Sequence, residues 1–368
     1  MMAAQWHPFD IVARVLAERL RGSGPSPELR AALAGPAVDW KGALGQASGQ
    51  YVLAAFAAAL RDLGLADPLE PELREFLAVI HAANVARNRE LRAQLAEMAA
   101  ALNRIGIEPV LLKGAIRLVD GLYPGIGWRM MRDLDILVPG ARVAECVGAL
   151  RGIGYVGERW DGRDWLIRHP RRRAVVEVHG ELFGPPGQRR LLPAAEMIGE
   201  SRRAALESTE IRLPSTLHQV LHLIAHSQIS DGGHTYGRID LRDRIEAAQL
   251  ASRSPQSLTG EELLARFTAA GYRRALIGFL LALEDAGLCV APVRARIDGL
   301  TAFQRRRIAL QARSATMTTF GWYVLQFERQ FMTTRGRPRI VETLRSAIGD
   351  PDVRRSLVEK LLRGPPLQ

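Results

Sequence analysis

The stretch "RMMRDLDILV", residues 129–138, sets two aspartates one residue apart inside an apolar run. Successive side chains of a strand point to opposite faces, so Asp133 and Asp135 share one face while Leu134, Ile136 and Val138 fill the other. The second face is core, and the first is a carboxylate pair. Two carboxylates that close repel each other and resist a low-dielectric setting unless a cation compensates, and a divalent metal is the usual one. A solvated edge strand is the plain alternative for a lone Asp-x-Asp, so the flanking sequence has to decide.

Upstream, "IEPVLLKGAIRLVDGLYPGIGWR" gives an apolar run at Val110 to Leu112, then Lys113-Gly114, then helical spacing through Ala115, Leu118, Val119 and Leu122. The pattern predicts strand, glycine turn and helix, a layout in which backbone amides and the helix start approach a phosphate. Downstream, "RRRAVVEVHGEL" alternates Val176, Val178 and Leu182 against Glu177, His179 and Glu181. That predicts a strand from about residue 174 to 182 with Glu177 as a third acid on its polar face.

This order of parts resembles the polymerase-beta-like nucleotidyltransferase superfamily. More narrowly, "LLKG", "YPGIGWRMMRDLDILV" and "VEVH" resemble the bacterial family of uncharacterised nucleotidyltransferases, over roughly residues 95–245. The resemblance implies an α+β fold, with a small mixed-sheet nucleotidyltransferase core flanked by N- and C-terminal helical domains. It implies Gly114 as the phosphate-loop glycine, Asp133 and Asp135 as metal ligands and Glu177 as the third carboxylate. Mg2+ or Mn2+ would be the cofactor and a nucleoside triphosphate the donor. The loop here reads Gly-Ala, where the superfamily more often has Gly-Ser or Gly-Gly, and the third acid is Glu where Asp is commoner.

Nucleotidyl transfer displaces pyrophosphate in line from the α-phosphate, and two metals on shared carboxylates stabilise the attacking and leaving oxygens. Arg129 and Arg132, just before the acids, have the fork geometry that suits triphosphate oxygens. Of the 50 lysines and arginines only three are lysine: Lys41, Lys113 and Lys360. A lysine at the phosphate turn of so arginine-rich a chain suggests a compact point charge wanted there. His179, two residues after Glu177, is placed to orient that acid or the acceptor.

The remaining sequence bounds these readings. Hydrophobic residues at 47% and charged residues at 24% fit a globular protein of two or three domains. The net charge of +11 favours an anionic partner, yet arginine is spread along the chain without an aromatic platform or zinc-finger spacing, so nucleic acid is weakly supported. Cys146 and Cys289 read as buried thiols in apolar helical contexts, and neither a signal peptide nor a membrane span is evident, so a cytoplasmic protein is expected. The expected division is a helical region over 1–92, the core over 93–190 and a helical domain over 191–368. Beyond residue 190 only short strand edges near Ile211 are expected.

His218, His222 and His226 fall at four-residue steps on one predicted helix, where packed histidines are preferred over ligands, with contact to base or acceptor as a third reading. Asp240 and Asp243 are read as structural, and Arg171 to Arg173 as a solvated hairpin tip. The expected activity is transfer of a nucleoside monophosphate to a hydroxyl or phosphate acceptor, possible classes being a natural product, a peptide or a sugar. Two rivals stand beside it: a toxin-like enzyme that modifies tRNA or protein, and a non-catalytic nucleotide-binding module.

Overall fold

The computed structural model describes residues 6–22, 24–35, 38–160, 164–184, 186–255, 261–288 and 299–313. Cys289, the basic "TTRGRPRI" tract and the helix expected at "PDVRRSLVEKLLR" lie outside them.

The chain begins with four helices, α1 (Pro8–Arg21), α2 (Pro27–Ala34), α3 (Trp40–Gly49) and α4 (Leu53–Asp62). Prolines open α1 and α2, and Ser26 caps α2 by accepting from the Leu29 amide. Tyr51 takes a left-handed φ of 59° between α3 and α4, which separates the two helices. The long α5 (Pro71–Asn103) follows and runs into the core.

The core is one seven-stranded mixed sheet built from β1 (Val110–Leu111), β2 (Asp133–Leu137), β3 (Val156–Trp160), β4 (Asp164–Arg168), β5 (Val175–His179), β6 (Arg202–Leu206) and β7 (Thr209–Leu213). Its order is β3-β4-β5-β2-β1-β7-β6. The β2–β5 and β1–β7 pairs are parallel and the other four are antiparallel. Helices α6 (Lys113–Ile116), α7 (Val143–Arg151), α8 (Pro186–Arg189) and α9 (Ala194–Glu200) lie between strands, and α10 (Thr216–Ala225), α11 (Gly233–Tyr236), α12 (Leu241–Arg253), α13 (Glu261–Ala269), α14 (Arg273–Asp285) and α15 (Gly299–Arg313) follow them.

Two readings of the sequence are corrected here. The helix after Lys113 is a single turn, followed by turns through residues 117–119, because Pro and three glycines between 121 and 127 favour a winding loop. The sheet also runs past residue 190. Its β6–β7 hairpin was legible only at Ile211, since "RRAAL" carries helix-favouring Arg and Ala in an edge strand, where pairing overrides propensity.

Strand alternation sorts the two faces of the sheet. Leu134 and Ile136 pack with Leu91, Leu95 and Met98 of α5 and with Cys146 and Leu150 of α7. On the opposite face Leu137 joins Leu221 of α10, Leu250 of α12 and Phe279 of α14. A third cluster gathers α1 to α4 around Leu241 and Ile245 of α12. Asp133 and Asp135 share the face of Leu137, so the carboxylates look toward the C-terminal helices.

Buried polar groups on α5 fix the loop that leads into β2. Asn84 Nδ2 donates to Gly127 O at 2.7 Å, and Asn88 Nδ2 donates to Ile126 O at 2.6 Å and Arg129 O at 2.7 Å. Asparagine is a poor helix former, and here it supplies donors that a buried loop lacks. Gln94 pairs with Ala174 in both directions, donating to its carbonyl and accepting from its amide, each at 3.0 Å, at the start of β5.

Candidate active site

The site assembles on the two central parallel strands. Their register sets Asp135 of β2 directly beside Glu177 of β5, with Asp133 beside Val175 and Leu137 beside His179. Three acids and a histidine thereby share one face.

Asp135 is almost fully buried, and its Oδ1 accepts from Lys113 Nζ at 2.6 Å and lies 3.1 Å from His179 Nε2. Glu177 Oε2 is 3.8 Å from Lys113 Nζ and 3.5 Å from His179 Nε2. Asp135, Glu177 and His179 each offer a ligand atom, all within 4.8 Å of one another. Asp133 stands outside that trio and is exposed.

The electrostatics follow from this crowding. Burial would raise the Asp135 carboxyl, but Lys113 and His179 hold it far below the carboxylate range. Asp133 moves the other way, raised by desolvation and by the charge of Asp135, with a further push from Glu177. Burial works against the charged forms of Lys113 and His179, and their acidic partners outweigh it, so both are raised. Lys113 and His179 therefore hold Asp135 ionised, and Asp133 is the member still short of positive charge.

Lys113 sits at φ 48°, in the left-handed region that non-glycine residues seldom adopt. Such backbone persists only where surrounding contacts over-determine it, and the short ammonium contact to Asp135 is one of them. Gly114, by contrast, has an ordinary φ, and its missing side chain makes room for Met131: a Cβ there would stand 2.6 Å from the sulfur.

Asp133, Asp135, Lys113 and Gly114 line a cleft of about 210 Å³, with His222, His226 and Asp231 on its helical side. Glu177 and His179 do not line it. The two arginines expected at the triphosphate part company. Arg132 is exposed in the cleft wall with no ion-pair partner among the described residues. Arg129 is buried, its Nε donating to Glu246 Oε2 at 2.8 Å and its Nη1 to Met130 O at 2.7 Å.

Glu246 also accepts from Arg117 Nε at 3.1 Å, and Arg117 in turn pairs with Asp120. Burial would raise the Glu246 carboxyl, and the two guanidiniums hold it down at about 2. This second cluster ties α12 to the loop that precedes β2.

Sequence reasoning missed Asp164. It opens β4, and its Oδ1 lies 3.4 Å from His179 Nδ1, so His179 stands between two aspartates. Only strand register could have found it, since the pairing of Trp165 with Val178 brings residue 164 next to 179. Of the three histidines, His218 is packed beside Glu196 and Glu200, while His222 and His226 reach the cleft. Arg172 and Arg173 reach back to Glu97 and Glu90 of α5. Asp240 pairs with Arg238 and Asp243 with Arg242.

No described helix is long and apolar enough to cross a membrane. Among solved structures, the chain is similar to the crystal structure of an antigenic nucleotidyltransferase-like protein from Paracoccidioides brasiliensis. The identity is 13% and the TM-score 0.35, over 57% of this chain and 98% of that one, a likeness too slight to bear on the site. No curated protein matches. The family model described as uncharacterised nucleotidyltransferase matches residues 36–285, and the chain belongs to that family.

Proposed function

We propose that this protein is a metal-dependent nucleotidyltransferase that moves a nucleoside monophosphate from a triphosphate to an acceptor. The observation that carries the reading is the parallel register that puts Asp135 beside Glu177, with Asp133 on the same face and open to a cleft.

The donor set suits a divalent cation. Carboxylate oxygens match Mg2+ or Mn2+, and the raised Asp133 carboxyl is what a cation would relieve. Asp133, Asp135 and Glu177 would hold it, and it would supply charge stabilisation at the α-phosphate and the leaving pyrophosphate. The protein's own groups do the rest. Asp135 Oδ1 holds the imidazole of His179 by a hydrogen bond, and Asp164 and Glu177 flank the same ring at 3.4 and 3.5 Å. Lys113 neutralises Asp135 before any ligand arrives, and Arg132 offers a fork to phosphate oxygens. Gly114 lets the backbone of the turn pack closely against Met131 at the cleft wall. The working division has a helical region over 1–92, a core over 93–190 and a helical domain over 191–368, whose β6–β7 hairpin completes the sheet of the core.

Thermal melting with each nucleoside triphosphate, with and without magnesium, tests the reading. A ligand that binds only the native state raises the melting point. One triphosphate should stabilise the protein in a magnesium-dependent way, and Asp133→Ala should abolish the effect. Equal stabilisation of wild type and variant would sink the assignment.

A further inference from the structure

Between α10 and α11 the backbone winds as a π-helical turn, His226–Ser230, closed by the Asp231 amide donating to His226 O at 2.8 Å. In an α-helix, side chains five positions apart point about 140° away from each other. The wider i→i+5 winding brings them to nearly the same side, and such turns recur at functional sites. Here it sets His226 Nδ1 3.1 Å from Asp231 Oδ2, and both residues line the cleft that holds Asp133 and Asp135.

We propose that His226 is the general base for the acceptor and that Asp231 holds it in the working tautomer. This rests on the nucleotidyl-transfer reading above and names its acceptor class: an alcohol or phenol hydroxyl. A phosphate acceptor is already anionic and needs no base. Burial would raise the Asp231 carboxyl, but the bond from His226 and the charges of Lys113 and Arg242 lower it, so Asp231 stays ionised beside the neutral imidazole. A carboxylate only accepts, so Nδ1 carries the hydrogen and the lone pair lies on Nε2. That nitrogen has no hydrogen-bond partner among the described residues. The neighbouring His222, whose ring centroid is 6.0 Å away, is held neutral by burial and does not compete as a cation.

In the reaction Nε2 takes the acceptor proton, the acceptor oxygen bonds to the α-phosphorus, and the bond from that phosphorus to pyrophosphate breaks. Pyrophosphate leaves with the electron pair, and the imidazolium returns its proton to solvent. His226 is the base and Asp231 a positioning residue, in the base-and-orienter arrangement that nucleophile activation requires.

The test uses the full-length protein with each nucleoside triphosphate, magnesium, and glycerol or tyrosinamide in large excess as probe acceptors. Nucleotidylated probe is read by mass and pyrophosphate by release. Asp231→Asn keeps size but replaces the carboxylate with a neutral amide, which no longer stabilises the imidazolium formed in transfer and can donate to Nδ1 as well as accept from it. Transfer should fall at least about a hundredfold in Asp231→Asn and in His226→Ala. Added imidazole should restore part of the activity of His226→Ala only, a recovery that a packing role does not give. Both variants should still be stabilised by triphosphate and magnesium. Undiminished transfer in Asp231→Asn, or a wild type that binds triphosphate yet modifies neither probe, overturns the dyad. A wild type that no triphosphate stabilises overturns the nucleotidyl-transfer reading beneath it.

Discussion

Two buried carboxylates on the wall of one cleft are each held by two cations, and they differ in which cations and in what else stands nearby. Asp135 meets Lys113 and His179 at the wall of a cleft, with Glu177 and Asp133 beside it. Glu246 meets Arg117 and Arg129 where α12 faces the loop at the same cleft, with the Tyr123 hydroxyl at 3.3 Å and no other acid in contact among the described residues. The Glu246 cluster is balanced: two guanidiniums with fixed forks occupy both carboxylate oxygens. The Asp135 cluster carries more acid than its cations satisfy, and it uses a flexible ammonium that other ligands can displace. Charge excess and mobile counter-ions mark a site for binding, while balance and rigid counter-ions mark a joint.

The comparison breaks most sharply under alanine. Asp135→Ala should reduce nucleotidyl transfer by more than about a hundredfold, since even partners one step removed from a metal ligand carry 10- to 100-fold effects. Its melting point should change little, because Lys113 is already partly exposed and can turn to water. Glu246→Ala should do the reverse, costing about 3 to 5 kcal/mol in urea denaturation by taking the counter-ion from buried Arg129 and leaving Arg117 with Asp120 alone. If Asp135→Ala proves the more destabilising of the two, the distinction between site and joint is wrong.

Acid sharpens the same contrast. The folded Glu246 carboxyl is held at about 2, below the value of 4.5 for a free side chain. Its stabilisation is therefore complete above that ordinary value and is lost as pH falls toward 2, a slope worth roughly 3 kcal/mol over the whole window. Glu246→Gln should flatten the pH dependence of the melting point between those limits. The smallest effect belongs to the cleft wall. Gly114→Ala should cost about 1 to 3 kcal/mol by driving a methyl group into Met131, and Met131→Ala in the same chain should recover part of it.

Much of the site was legible because strand alternation is a strong signal. Asp133, Asp135, Glu177 and His179 stand out against Leu and Val at period two, and the backbone puts them on one face. Helices conceal their polar contacts better. Asn84, Asn88 and Glu246 drew no expectation, since a lone polar residue on a helix is ordinarily solvated, yet all three are buried against one loop. Asparagines four apart in a helix otherwise rich in Ala, Leu, Arg and Glu were the available clue. The His226 pair was hidden for a different reason: π winding has no sequence signature, and α-helical spacing assigns position 231 to another side. Arg129 shows the converse, a residue whose proximity to the acids suggested phosphate while its guanidinium serves α12.

The two-way bond between Gln94 and Ala174 spans 80 residues, and it bears on the order in which the chain assembles. Long-range pairs form only after the entropy of closing the intervening loop has been met, and parallel strands meet that requirement late. The helix that carries Gln94 is local and quick to form, so during synthesis it stands ready before β5 exists. Its amide makes a two-point contact with the start of β5, three residues before Glu177, and so helps set the register that places Glu177 beside Asp135. The pairing of two acids across parallel strands is thereby anchored by a neutral side chain of the helix that backs the sheet.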